Sequence, residues 1–243
     1  MKNEQKVVIV GGCGHVGLPL GLAMASRGLP VCLLDINQQA VAEINAGRLP
    51  FLEQGGEAIL RQHLGRNLRA TAEPGVIRDA AVVIFVTGTP IDEHLNPRLD
   101  DVIKVVRQYA PWLHPRQLVV LRSTLYPGTT EVVAALLQET CQVTKLAFCP
   151  ERMQQGRGIE EICTLPQLVS AMTPEAEAEA KALFSILAPK IIVLPPEEAE
   201  LAKLMTNCWR YLEFAIANQF YMMATEKGHD FFRIYQAMTE DYP

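Results

Sequence analysis

The sequence lacks any apolar run approaching the ~18 residues that a membrane-spanning helix needs. It also lacks a basic block: 22 Lys and Arg stand against 27 Asp and Glu, for a net charge of −5 and a pI near 5.6. Proteins that track phosphate backbones cluster their cations, so no nucleic-acid partner is expected. The six cysteines, at 13, 32, 141, 149, 163 and 208, contain no C-x-x-C pair. Scattered through apolar segments, they read as buried hydrophobes in a reducing, cytoplasmic setting, without zinc or any other metal. No solenoid-period repeat or low-complexity tract occurs. The charged stretch 1–6 leads straight into an apolar segment, so no signal peptide is expected. What remains, 243 residues at 49% hydrophobic, can bury one substantial core, or one core and a smaller appendage.

The most informative stretch is Gly11-Gly12-Cys13-Gly14-His15-Val16-Gly17, just behind the apolar run Lys6-Val7-Val8-Ile9-Val10. That run is short, β-branched and unbroken by charge after its first residue, as suits a strand buried on both faces of a parallel sheet. Gly12, Gly14 and Gly17 fit G-x-G-x-x-G where this strand would turn into a helix. They serve a tight turn, bare backbone facing a pyrophosphate, and close helix–strand packing. The helix, from about His15 to Arg27, would aim its N-terminal amides and positive dipole end at the phosphates. A second strand, Val31 to Leu34, ends in Asp35, about twenty residues beyond the glycines. A carboxylate there can accept from both hydroxyls of an adenosine ribose and repel a 2′-phosphate, so the expected cofactor is NAD rather than NADP.

Further strands are predicted at 68–71, 81–86, 117–121, 145–148, 168–171 and 190–194. Helices are predicted at 37–46, 56–64, 100–109, from the Pro127–Thr130 cap to 138, and at 174–187. The alternation describes an α/β fold, a Rossmann-type doubly wound parallel sheet. Polar clusters fall at the carboxyl ends of the strands, where ligands of such sheets collect: Gly12 to Gly17, Asp35, Thr87 to Thr89 with Pro90, Ser123-Thr124 and Glu151. Pro195-Pro196 then punctuates the chain, which suggests a cofactor domain over 1–195 and a helical segment over 196–243. From 197 to 227 a helical pattern runs without proline or glycine, apolar on more than one side, which favours packing against another subunit or a further domain. A short helix, 231–238, closes the chain.

Glu200, Lys203 and Asn207 share one face of that long helix. As a pair, Glu200 and Lys203 are an ordinary solvated contact. With Asn207 one turn later, the lysine can instead polarise a substrate hydroxyl and hold an oxyanion. Glu151, behind Pro150 at a strand end, is either a base or a loop cap. Ser123 and Thr124 either contact a ligand or cap the next segment. His15 lies where backbone matters more than side chain and is not read as a base.

Taken together, VVIVGGCGHVGLPLGLAMASRG, FVTGTPID, LRSTLYPGTT, CPERMQQGR and AELAKLMTN resemble, in order, the nucleotide-sugar dehydrogenases that oxidise UDP-glucose, UDP-N-acetylmannosamine and relatives. The resemblance implies two successive NAD-dependent oxidations of a C6 alcohol to a carboxylate, through an aldehyde captured by a cysteine. It implies that Asp35 holds the adenosine ribose, that Thr89 and Thr124 line the cofactor and reaction site, that Glu151 serves hydrolysis, and that Lys203 and Asn207 stabilise the oxyanion. Pro-Glu-Arg at 150–152 is similar to the N-acetylhexosamine branch, and Gln155 stands where UDP-glucose enzymes tend to carry a second Glu. A UDP-N-acetylhexosamine is therefore expected over UDP-glucose. The family's nucleophilic cysteine lies in a glycine-rich segment beyond the central helices. None of the six cysteines has that context, so the chain reads as the amino-terminal portion of a longer enzyme, with a homodimer expected through the long helix 197–227.

Two other readings stay open at this point. A β-hydroxyacid dehydrogenase also pairs a Rossmann domain with helices and uses Lys-x-x-x-Asn on a helix. A non-catalytic NAD-binding dimerisation module needs neither a nucleophile nor a sugar pocket.

Overall fold

A computed structural model describes residues 6–88 and 99–241. The predicted site residues Thr89 and Pro90 lie outside the described residues. Eight strands form one sheet: β1 (Val7–Val10), β2 (Val31–Leu34), β3 (Leu68–Thr71), β4 (Val82–Phe85), β5 (Leu118–Leu121), β6 (Leu146–Phe148), β7 (Gln167–Ala171) and β8 (Ile191–Val193), in the order β3-β2-β1-β4-β5-β6-β7-β8. β1 lies at the centre of the first six, in parallel register with Val31 and Val82 opposite Val7. Its alternation divides the core in two. Val7 and Ile9 pack under α1 (Gly17–Ser26), α2 (Gln38–Asn45), α3 (Gly56–His63), α6 (Gly158–Thr164) and α7 (Pro174–Phe184). Val8 and Val10 belong to the other layer, with α4 (Leu99–Tyr109) and α5 (Thr129–Cys141). This is the Rossmann-type doubly wound arrangement, with the observed elements within three residues of the predicted ends.

One expectation needs correcting. The sheet is not parallel throughout: β7 runs antiparallel to β6, with Phe148 opposite Ser170, and β8 then follows β7 in parallel. The physical reason is the connection. Residues 149–166 never cross the sheet, so the chain re-enters from the carboxyl end it has just left. Those residues include Glu151 and Gln155, which thereby stay at the edge where ligands bind. They also contain α6, missed in the sequence because seven residues are too few to show a helical period. Gly158 lets α6 approach α1, since a Cβ there would sit 2.9 Å from that of Pro19.

The chain divides into two compact units, 1–203 and 204–243, the boundary falling within α8 (Pro196–Glu226). The second unit holds the rest of α8 and α9 (Phe231–Thr239). Asp230 caps α9 by accepting from the amides of Phe232 and Arg233, and Tyr221 meets Phe231 edge-on at 5.5 Å. Along α8, Met205, Trp209, Leu212, Phe214, Ile216 and Phe220 are exposed. Among the described residues, no helix is long and apolar enough to cross a membrane.

Candidate functional site

The dinucleotide loop shows which glycine does what. A Cβ on Gly12 would lie 2.7 Å from both Ile9 O and Leu33 Cα, and one on Gly17 would lie 2.4 Å from Gly11 O. Packing within the fold therefore requires both. Gly14 is exposed, and the nearest atom a Cβ there would meet is Gly11 O, at 3.5 Å. Nothing in the packing of the fold demands glycine there, and its bare backbone leaves room for a ligand. Close helix–strand packing, expected of Gly17, belongs instead to Gly21, whose Cβ would fall 2.5 Å from Leu33 Cδ2.

The start of α1 fits the same ligand. It has no side-chain cap and no acidic residue in its first turn. At several other helix starts side chains do this work. Asn37 caps α2 and Thr173 caps α7, while Glu53 accepts from the Ile159 amide at the start of α6. At α1 the Leu18 amide already donates to Gly14 O at 3.0 Å and Pro19 has no N–H, so the helix start offers an anion the Gly17 amide and its positive dipole end. Asp35 faces the loop from the end of β2. Its Oδ2 accepts from the Cys13 amide at 2.9 Å and its Oδ1 from the Asn37 amide at 3.0 Å. Each oxygen keeps lone-pair capacity for a hydroxyl. The loop, the helix end and Asp35 thus fit an adenine dinucleotide with a free ribose diol.

Beside this loop, at the carboxyl ends of β4, β5 and β6, lies a cavity of about 230 Å³. His15, Val16, Thr87, Ser123 and Thr124 line one part of it. Arg122, Glu151, Gln155 and Lys203 bring the charge and the amide. The His15 ring packs on Phe51 with centroids 4.0 Å apart, and the Ser123 hydroxyl donates to Thr87 O at 2.5 Å, tying the ends of β4 and β5 together. Asn207 lies one turn past Lys203 along α8, in the second unit.

Two residues that sequence reasoning missed organise this cavity. Arg122 is 1% exposed, yet it carries a charge. It donates to Cys149 O at 3.0 Å and to Gln167 Oε1 at 2.9 Å, forms an ion pair with Glu151 Oε2, and lies over the Phe184 ring. Its Nε is buried without a partner. The other Glu151 oxygen accepts from the amides of Arg152 and Met153, at 2.7 and 2.8 Å. Glu151 is thus held on both oxygens, in one orientation. A guanidinium directly after the buried run Leu118–Leu121 was the available signal, because a charge at that depth needs a partner.

The second is Glu200, expected to make a solvated pair with Lys203. It is fully buried instead. It accepts from the Gly128 amide at 2.7 Å, the Thr130 amide at 2.8 Å and the Thr130 hydroxyl at 2.6 Å, capping α5 from the far side of the sequence. The cause is the Pro127-Gly128 lead-in, which offers α5 no side-chain acceptor of its own. By holding the first turns of α8 there, Glu200 sets where buried Lys203 stands.

The thiols nearest the cavity are unsuited to nucleophilic attack. Burial pushes the pKa of Cys149 up to about 12 against the lowering effect of Arg122, and burial, then Asp35, pushes Cys13 up to about 12. Burial also lowers the Arg152 pKa, with Glu151 opposing. Among the described residues, no group of three His, Cys, Asp or Glu could hold a metal ion.

Comparison with known families decides what the dinucleotide loop belongs to. Residues 5–212 match the model of the UDP-glucose/GDP-mannose dehydrogenase family, NAD binding domain. The chain belongs to that family. As a family member it takes NAD, a cofactor that the loop and Asp35 fit. It is 31% identical over 237 residues to an NDP-N-acetyl-D-galactosaminuronic acid dehydrogenase of Ralstonia nicotianae, covering 92% of this chain and 55% of that protein. It is 32% identical over 231 residues to a UDP-N-acetyl-D-mannosamine dehydrogenase of Escherichia coli, covering 89% and 54%. A solved UDP-D-ManNAc dehydrogenase of Pyrococcus horikoshii superposes with a TM-score of 0.88 at 26% identity, over 98% of this chain and 59% of that one. The family member described here therefore spans about half the length of the curated relatives it matches.

Proposed function

We propose that the protein oxidises the C6 alcohol of a UDP-sugar toward the uronic acid, a UDP-N-acetylhexosamine in preference to UDP-glucose. In this reading residues 1–195 form the NAD-binding domain and 196–243 a central helical segment. The observation that carries it is the meeting of the dinucleotide loop with Glu151 and Lys203 around one cavity. The two curated relatives described above are both named for N-acetylated sugars, which supports the substrate class.

Bound NAD would supply the hydride acceptor. Gly12, Gly14 and Gly17, with the backbone of His15 and Val16, would hold the pyrophosphate, and Asp35 the ribose. Thr87, Ser123 and Thr124 would line the nicotinamide side, along with Thr89 and Pro90. The Lys203 ammonium would donate to the substrate oxygen and hold negative charge as it develops, with Asn207 assisting; Glu151 would take up a proton during hydrolysis. Thiols without disulfide partners agree with a cytoplasmic setting.

The cofactor arm is checked on the chain itself. NAD at about one hundred times its Kd is expected to add ~2.7 kcal/mol, or roughly 5–10 °C of melting temperature, with no comparable shift from NADP. The reaction is checked on the protein that carries this chain, by NADH release with each sugar. Turnover of small 3-hydroxy acids and of no nucleotide sugar would overturn the assignment.

We also propose that the exposed apolar side chains of α8 are buried in a homodimer. Sedimentation should give a dimer at micromolar concentration, and a Trp209→Glu, Phe214→Glu variant a monomer. A parent chain that sediments as a monomer excludes the dimer.

A further inference from the structure

A cavity of about 240 Å³ opens at the amino-terminal edge of the sheet, where β1, β2 and β3 begin. Its floor is apolar: Pro30, Val31, Cys32 and Leu68. Its rim is cationic: Lys6, Arg66 and Arg69, with no carboxylate among the residues that line it. That composition is unusual in a chain whose acids outnumber its bases by five.

The placement of the three cations follows from the register. Arg69 pairs across from Cys32, and Cys32 from Val8, so Arg69 projects from the same face of the sheet as Lys6, two residues before Val8. Arg66 comes from the turn that Gly65 opens at φ +73°. Among the described residues, Arg66 and Arg69 make no ion pair. Lys6 has Asp79 at 3.7 Å, but that carboxylate is 80% exposed and water screens the contact. Three like charges around one opening repel one another, and a multivalent anion removes the repulsion.

We propose that this cavity is a second ligand site, for a phosphate-bearing small molecule held by Lys6, Arg66 and Arg69. Two guanidinium forks and an ammonium match the oxygens of a phosphate or diphosphate better than a single carboxylate. The site is separate from the cofactor cradle. Ligands of a parallel sheet collect at its carboxyl edge, and this cavity lies at the other end of the same strands. It does not depend on the proposed reaction.

The test is amide NMR of the labelled chain at low salt, with NAD saturating so that the dinucleotide loop is occupied. Inorganic diphosphate and UMP are titrated separately. Saturable shifts at residues 65–69 are expected, weakened about tenfold or more in an Arg66→Gln, Arg69→Gln variant whose NAD affinity is unchanged. Both arginines are exposed, so the variant keeps its fold. Tighter binding of UMP marks the ligand as a nucleotide, and tighter binding of diphosphate marks a free inorganic anion. Absence of saturable shifts at 65–69, or shifts that persist undiminished in the variant, overturns the site.

Discussion

Replacing Arg122 with methionine is expected to lower the stability of the chain by about 3–5 kcal/mol, or roughly 6–20 °C in melting temperature. Methionine keeps much of the volume against Phe184 and removes the charge. Glu151, with its side chain 12% exposed, then loses its counter-ion, and Cys149 O and Gln167 Oε1 lose their donor. Each buried acceptor left unpaired adds to the cost. Arg122→Lys should recover only part of the loss, because one ammonium cannot reach three acceptors with fork geometry. Adding Glu151→Gln to Arg122→Met should return about 1–3 kcal/mol, since the second change removes the stranded charge. Thermal melts of the four proteins check this. A single Arg122→Met variant that melts within about 2 °C of the parent would show that the pair is not what holds this part of the chain.

The pair also explains where sequence reasoning stopped. Val7–Val10 and Val82–Phe85 were legible because a strand covered on both faces must be apolar at every position. Asp35 could be proposed as a cofactor contact from the sequence because that reading depends only on the strand before it and the glycines about twenty residues earlier. Arg122 with Glu151, and Glu200 with Gly128 and Thr130, are contacts across 29 and about 70 residues. No period of 2 or 3.6 residues encodes such a contact. Periodicity placed Glu200 and Lys203 on one face and suggested a solvated pair, whereas the uncapped start of α5 took Glu200 into the interior.

Strand direction was hidden for a related reason. Leu168-Val169 reads as a buried strand whichever way it runs, and only the path of 149–166 determines that β7 opposes β6. That path matters more to the site than the reversal itself. A parallel β7 would have required the connection to return to the amino-terminal edge, carrying Gln155 away from Lys203. Keeping the connection at the carboxyl edge lets one short segment supply both the anchored carboxylate and a wall of the cavity. Within the glycine pattern, the packing role expected of Gly17 falls to Gly21, because Gly17 is spent on closing the turn against Gly11 O before the helix reaches β2.

Changing Asp35 to alanine is expected to weaken NAD binding by about 2–3 kcal/mol, a factor of roughly 30–150, while NADP binding holds or improves. Two effects are combined in that variant, and they predict different things for NADP. If Asp35 grips the ribose diol, removing it deletes two charge-assisted hydrogen bonds to NAD and relieves the repulsion of a 2′-phosphate, so NAD affinity falls while NADP affinity does not, and the preference narrows. If its chief work is to brace the loop through the Cys13 amide, both cofactors lose affinity together, because both place a pyrophosphate on that loop. Asp35→Asn sharpens the comparison. The amide can accept on its oxygen only, so one of the two backbone contacts is lost, yet no charge remains to repel a phosphate. Calorimetric titration of both cofactors against the parent and both variants separates the cases. An equal fall for NAD and NADP would remove Asp35 from cofactor selection and leave it as a strut of the loop.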